Sequence, residues 1–147
     1  MVHILPLPDD HIDDLFDLYD GYDRPPDPRM AHAEALSNLQ AIRRQSGEIF
    51  VAMVDGALVG TYAIYICMNL NRSGRPFAVI ENVICGAGYR RRGIGRALME
   101  HAKGHAQEQG CYKVFLQTGA TRAENHAFYE ACGFQSAKLG FQARFGI

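Results

Sequence analysis

The spacing of apolar positions changes period several times along the chain. Residues 48–54 and 57–68 are dense in β-branched and aromatic residues, which predicts two strands, and Asp55-Gly56 between them suits a type I′ hairpin turn. Ile12, Leu15, Phe16 and Tyr19 recur instead at helical spacing, behind acids in the first turn, with Asp9 or Asp10 as the expected cap. Leu36, Leu39 and Ile42 form the apolar side of a second helix, expected over residues 30–45. The intervening segment DGYDRPPDPR holds three prolines and can be neither helix nor central strand. A short strand over residues 2–7 opens the chain, and a polar loop covers residues 69–76.

The second half repeats the alternation of element types. An apolar strand at Phe77–Cys85 leads through Gly86, Ala87 and Gly88 into a run of arginines. A helix over residues 94–109 follows, with Gly110 as its natural C′ residue. A strand is expected over residues 111–118 and a last helix over 123–132, closed by Gly133-Phe134. One further short strand is expected near residues 141–145. The whole of 1–147 reads as a single mixed α/β domain, without repeats or low-complexity segments.

The junction YRRRGIGRALM carries the chemical signal. A helix N-terminus leaves its first N–H groups unpaired and is partly positive, and glycines there let a bulky anion reach the backbone. With arginines around it, this is the design of a phosphate site. The plain alternative is a solvated basic loop with turn glycines. Its setting between an apolar strand and a helix followed by another strand favours the phosphate reading. Two familiar nucleotide loops are excluded. There is no Gly-Lys-Ser/Thr, and Gly93-Ile94-Gly95 lacks the third glycine of a dinucleotide fingerprint.

Composition narrows the class of ligand. Net charge is −1 and the isoelectric point about 6.6, so the arginine run is local and a broad nucleic-acid surface is not expected. Hydrophobic residues at 48% and charged residues at 21% are those of a globular domain. Cys67, Cys85, Cys111 and Cys132 form no C-x-x-C pair. MVHILPLPDD shows no basic leader, and the apolar run over 62–68 is too short to span a bilayer, so a reducing cytoplasmic setting without membrane contact is the expectation.

Arg90-Arg91-Arg92-Gly93-Ile94-Gly95 resembles the R/Q-x-x-G-x-G/A signature of the GNAT superfamily of acetyl-CoA-dependent N-acetyltransferases. Ile80-Glu81-Asn82-Val83-Ile84-Cys85 resembles the strand before that signature, and 110–116 (GCYKVFL) the strand after its helix. Phe128-Tyr129-Glu130-Ala131-Cys132-Gly133-Phe134 resembles the family's terminal FYxxxGF segment. The resemblance runs from about Phe77 to Phe134; before that it rests on element order. It implies a mixed, mostly antiparallel central sheet flanked by about four helices, with acetyl-CoA as cosubstrate and no metal. Backbone groups of Val83, Ile84 and Cys85 would pair with the pantetheine arm. The turn at Arg90, with amides of Arg91, Arg92, Gly93, Ile94, Gly95 and Arg96, would hold the pyrophosphate. Asn125 would help orient the cofactor, although the family's usual asparagine position is occupied here by Arg122.

Two protons must move when an amine attacks a thioester. Glu81, adjacent to Asn82 in an otherwise apolar strand, is the candidate base, and burial there is expected to raise its pKa. Its alternatives are an ion pair with an arginine or exposure to solvent. Tyr129 resembles the family tyrosine that protonates the departing thiolate; its alternative is a half-buried packing aromatic. His101 and His105 have the i, i+4 spacing of helical zinc ligands but no third partner, and are expected at the margin of the core. Tyr22, Arg24 and Arg29 are candidate acceptor contacts from the early loop.

The leading expectation is transfer to a small-molecule primary amine. The alternatives are a protein acetyltransferase, on lysine or an N-terminal amine, and a non-catalytic acyl-CoA sensor. The sequence does not fix the assembly state, although a homodimer is common among such small relatives.

Overall fold

The computed structural model describes residues 1–22, 26–119 and 123–146. Its elements follow in the order β1 (His3–Pro6), α1 (Ile12–Asp20), α2 (His32–Arg44), β2 (Gly47–Val54), β3 (Ala57–Cys67), β4 (Phe77–Cys85), α3 (Ile94–Glu108), β5 (Val114–Leu116) and α4 (Ala123–Ala131). The strands form one sheet in sequence order, β1 to β5. Neighbours pair antiparallel except β4 and β5, which are parallel and joined through α3. A parallel pair needs such a crossover, whereas the β2–β3 pair closes through two residues. Asp55 and Gly56 both have positive φ (50° and 80°), as a type I′ turn requires.

Alternation along the strands sorts side chains onto two cores. Phe50, Ala52, Tyr62, Ile64, Ala78 and Ile80 face α3 and meet its Ile94, Leu98, Met99 and Ala102. Val51 points the other way, into a smaller core with Leu7, Ile12 and Leu15, closed by Ala35 and Leu39 of α2. Arg43 fastens α2 to the sheet by donating from Nη2 to the Leu7 carbonyl at 2.9 Å and from Nε to the Glu48 carboxylate at 3.0 Å.

The second core reaches only across β1 to β3. On β4 and β5 the face away from α3 carries Phe77, Val79, Glu81 and Phe115, none of which joins that second core, although α1 also touches β4. That open face, together with the end of β4, is where the fold leaves room for ligands.

Several sequence expectations are corrected. Neither Asp9 nor Asp10 caps α1 through its side chain; a 3₁₀ turn at Asp9–His11 leads into it, with Pro8 before the turn and His11 before the helix. The strand expected over 111–118 shortens to Val114–Leu116, because only Ala78 to Ile80 of β4 is in register with it. The strand expected near 141–145 does not form; residues 139–146 take no regular structure. No described helix is long and apolar enough to cross a membrane.

Candidate active site

The site begins with an irregularity in β4. Thr61 is opposite Ile84 and Ala63 opposite Glu81, so the single residue Tyr62 opposes both Asn82 and Val83. This is a β-bulge, and Asn82 takes the left-handed conformation it requires (φ 55°). The extra residue resets the alternation. Ala78 and Ile80 face α3, and so do Val83 and Cys85, while Ile84 turns to the other side.

The bulge also explains a missed expectation. Glu81 and Asn82 are both exposed rather than buried on opposite covered faces. Among the described residues the Glu81 carboxylate accepts no hydrogen bond and makes no ion pair. Its electrostatic neighbour is Tyr65 of β3, whose hydroxyl pKa is raised by burial and then by the Glu81 charge. Tyr19, at the end of α1, is pushed up to about 12 by burial and by Tyr65. Sequence reasoning missed Tyr65 as a neighbour of Glu81; the pairing of β3 with β4, not any local pattern, brings it there.

Past the bulge, β4 has a free edge. Pairing with β5 stops at Ile80↔Leu116, so on that side the backbone of Val83, Ile84 and Cys85 meets no strand among the described residues. Its other edge remains tied to β3, through Cys85↔Gly60 and a 2.7 Å bond from the Gly86 amide to the Val59 carbonyl. A cavity of about 410 Å³ opens along this end, lined by Asp14, Asp17 and Tyr22 on one side and Ile84, Cys85 and Arg90 on the other. Neither Glu81 nor Tyr129 lines it.

The turn into α3 is built for an anion. Arg90 is extended, Arg91 has φ 63°, and Gly93 caps the helix with φ 79° and no side-chain capping bond. The first helical closure runs from the Ala97 amide to the Gly93 carbonyl, which leaves the amides of Ile94, Gly95 and Arg96 without intrahelical partners. Arg90, Arg91, Arg92 and Arg96 are exposed and make no ion pair among the described residues; Arg92 lies 5.2 Å over the Tyr89 ring. The two glycines differ. Gly93 needs its backbone conformation and has open space around it. A methyl at Gly95 would stand 3.1 Å from Cζ of Phe128, so that glycine also lets α4 approach α3. A free strand edge beside an uncapped, arginine-flanked helix start fits an extended arm ending in a diphosphate, the shape of coenzyme A.

Tyr129 sits on α4, half-buried, with its ring edge-on to Phe128 at 5.0 Å and Phe134 at 6.0 Å. Burial pushes its hydroxyl up to about 12, helped by Tyr22 and Cys132. That dependence places exposed Tyr22 within electrostatic reach of Tyr129. Asn125 donates to Thr118 Oγ1 at 3.3 Å and so ties α4 to the segment after β5. Arg29 is held by Asp17 at 2.6 Å and Asp20 at 2.8 Å and lies over the Phe16 ring, so it is not an idle cation awaiting an anion. Arg24 and Arg122 lie outside the described residues.

The histidines belong to the core on the far side. His101 Nδ1 pairs with the buried Tyr62 hydroxyl at 2.7 Å, and His101 and His105 both meet the Phe50 ring edge-on. Among the described residues no three metal-ligating side chains come together.

The fold and this strand–turn–helix geometry define an acyltransferase, and comparison with known proteins agrees. The model of the acetyltransferase (GNAT) family matches residues 12–134. A putative acetyltransferase from Agrobacterium tumefaciens str. C58 superposes with a TM-score of 0.89 at 39% identity, over 97% of this chain and 99% of that one. A glucosamine 6-phosphate N-acetyltransferase of Trypanosoma brucei brucei is 32% identical over 104 residues, 69% of each chain. The [ribosomal protein bS18]-alanine N-acetyltransferase of Escherichia coli K12 is 34% identical over 62 residues, 42% of each chain. The chain belongs to the GNAT acetyltransferase family, and its relatives are N-acetyltransferases that act on amines.

Proposed function

We propose that the protein transfers the acetyl group of acetyl-CoA to a primary amine of a small molecule, by direct attack while both substrates are bound. The observation that carries this reading is the bulge at Asn82. It presents Glu81 on the open face while leaving the backbone of Val83 to Cys85 free beside the start of α3. When bound, acetyl-CoA supplies an acyl carbon already activated as a thioester. Val83, Ile84 and Cys85 would hold its arm by main-chain hydrogen bonds. The amides from Arg91 to Arg96 would hold its diphosphate within the field of the arginines.

Each proton then has a named residue. Glu81, exposed and without an ion pair among the described residues, accepts the proton of the attacking amine, directly or through a water. Tyr129 keeps its proton at neutral pH, since burial holds it near 12, and donates to the departing sulfur. Tyr22, which lines the cavity together with Ile84, Cys85 and Arg90, is the early-loop candidate for meeting the acceptor. Arg29 has no such role unless a substrate anion displaces two carboxylates.

Support for a small acceptor comes from the extent of the relationship. The glucosamine 6-phosphate enzyme matches over 104 residues, the alanine-acetylating enzymes over 62. The shorter match keeps a protein N-terminal amine as the second reading.

Thiol release from acetyl-CoA, measured against amino sugars, polyamines and an alanine-terminated peptide, tests the assignment. Glu81→Gln and Tyr129→Phe should each retain coenzyme A binding by calorimetry. Turnover should fall by ~10²–10⁴-fold for the first, and near the lower end of that range for the second. Unchanged turnover in Glu81→Gln would return Glu81 to the surface. Binding without turnover on any acceptor would favour a sensor.

A further inference from the structure

A carboxylate that removes a proton has to be placed as well as exposed, and Glu81 makes no hydrogen bond or ion pair among the described residues. The register of the sheet supplies a polar neighbour. Ala63 of β3 is opposite Glu81 and Tyr65 opposite Val79, so Tyr65 is the diagonal neighbour of Glu81 on the face away from α3. Diagonal pairs stand ~7–8 Å apart, within reach of an aromatic side chain.

The Tyr65 ring is fixed by its surroundings. Gly47 of β2 is its direct partner across the other edge of β3. A methyl at Gly47 would stand 2.7 Å from Cδ1 and 2.9 Å from Cε1 of that ring, and 2.9 Å from Cγ2 of Ile42 on α2. Glycine weakens a strand, and Gly47 has no positive φ that would call for one. What it provides is the space in which the ring lies against β2, beside Ile42. Yet the hydroxyl at the end of this fixed ring makes no hydrogen bond among the described residues. Every fully buried side-chain oxygen among them has a partner, so the Tyr65 hydroxyl reaches open space. Tyrosine hydroxyls in packed surroundings ordinarily find a partner. Burial, then the Glu81 charge, raises the Tyr65 pKa above the ordinary 10, so it holds its proton at neutral pH and has one to donate.

We propose that Tyr65 is a positioning residue for the base: its hydroxyl and the Glu81 carboxylate hold between them the water through which the acceptor's proton passes. This role rests on the reading of Glu81 as the base. The two side chains come from adjacent strands and make no direct bond. With the attacking amine they give that water three partners, and a bound water typically makes about three bonds. As nitrogen bonds to the acyl carbon, its proton passes to the water oxygen and one water proton passes to Glu81. The water is regenerated, and Tyr65 keeps its own proton throughout, donating to the water oxygen. Fixing that oxygen before the amine arrives removes part of the ordering that the step would otherwise need.

Tyr65→Phe keeps the ring against Gly47 and removes only the hydroxyl, so Tm and coenzyme A binding should stay at wild-type values. A high-resolution crystal structure of the intact protein should show a water within hydrogen-bond distance of both Tyr65 Oη and the Glu81 carboxylate. The Tyr65→Phe crystal should lack it. With the most active of the amines named above, kcat should fall about tenfold at unchanged acceptor KM, the size of one hydrogen bond made in the transition state. Tyr65→Phe added to Glu81→Gln should lower turnover no further, because the water has already lost its base. Absence of the bridging water, a rise in KM at constant kcat, or losses that multiply in the double variant would each overturn the assignment. If Glu81→Gln loses turnover while Tyr65→Phe keeps it, the role of Tyr65 alone falls. If Glu81→Gln turns over like wild type, the base assignment fails and takes this role with it.

Discussion

Deleting Asn82 should make the protein more stable and a worse enzyme. Asn82 is the extra residue of the β4 bulge, exposed and left-handed at φ 55°. Without it Glu81 is followed directly by Val83, which then sits opposite Tyr62 in an uninterrupted ladder. No side chain changes face, because the bulge had already absorbed one step of alternation: Ile80, Val83 and Cys85 still face α3, and Glu81 and Ile84 the other side. A non-glycine residue held in a sparsely populated conformation costs ~1–3 kcal/mol. Its removal uncovers no buried side chain, so the fold should be stabilised by about 1 kcal/mol, a rise of roughly 2–5 °C in Tm for a chain of this size. The bend disappears as well, and with it the divergence of the end of β4 from β5. Misplacing reacting groups by an ångström costs on the order of 10²-fold in rate, so kcat/KM should fall by about that factor. Thermal denaturation followed by circular dichroism and thiol release from acetyl-CoA measure the two effects. Asn82→Gly, which keeps the bulge and tolerates its φ, should stay near wild type in both. Wild-type turnover in the deletion, or failure of the deletion to fold, would refute the assignment of the bulge to function.

The two glycines at the start of α3 should separate by mechanism. Gly93→Ala forces an L-residue to φ 79° and should destabilise by ~1–2 kcal/mol with no packing change, whereas Gly95→Ala presses on Phe128 and should be largely rescued by Phe128→Leu. Denaturant titration of the singles and the double reads this directly, and absence of rescue would place the strain elsewhere. Stability should also depend on pH through His101. Burial, then the neighbouring His105, lowers its pKa in the folded state below the ordinary 6.5, against a smaller upward pull from Glu108. The unfolded chain therefore binds more protons in that window, so the contribution is fully present above pH 6.5 and is lost as pH falls toward the lowered folded value. His101→Gln should flatten the dependence there; an identical profile would assign it to other groups.

Much of this was legible in the sequence. The hairpin at Asp55-Gly56, the strand Phe77–Cys85 and the start of α3 at Ile94 were all signalled by local chemistry, and local rules reach that far. The bulge lay hidden in FAVIENVIC because a bulge is a property of two strands: only opposite Tyr62 does Asn82 become an extra residue. The same limit explains Glu81. Two adjacent polar residues were read as opposite-facing and buried, whereas the bulge leaves both exposed. Arg29 is a candidate acceptor contact by its place in the early loop, and the sequence alone does not show that Asp17 and Asp20 of α1 close around it. The tail differs again: its alternation has the period of a strand, yet residues 139–146 take no regular structure.

The two residues proposed to handle protons sit in different surroundings. Tyr129 is set by the protein alone. Its ring packs between Phe128 and Phe134, and with a hydroxyl near 12 it stays protonated across the neutral range. A thiolate whose thiol has an ordinary pKa near 8.5 is a weaker base than the tyrosinate, so in the proposed reaction Tyr129 would donate a hydrogen bond that strengthens as negative charge gathers on sulfur, with full proton transfer only late in the step. Glu81 is not set in this way. It stands on an uncovered face, with Tyr65 as its electrostatic neighbour. On the proposed reading the acceptor amine covers that face when it binds, so bulk water leaves the carboxylate only when the correct amine is in place.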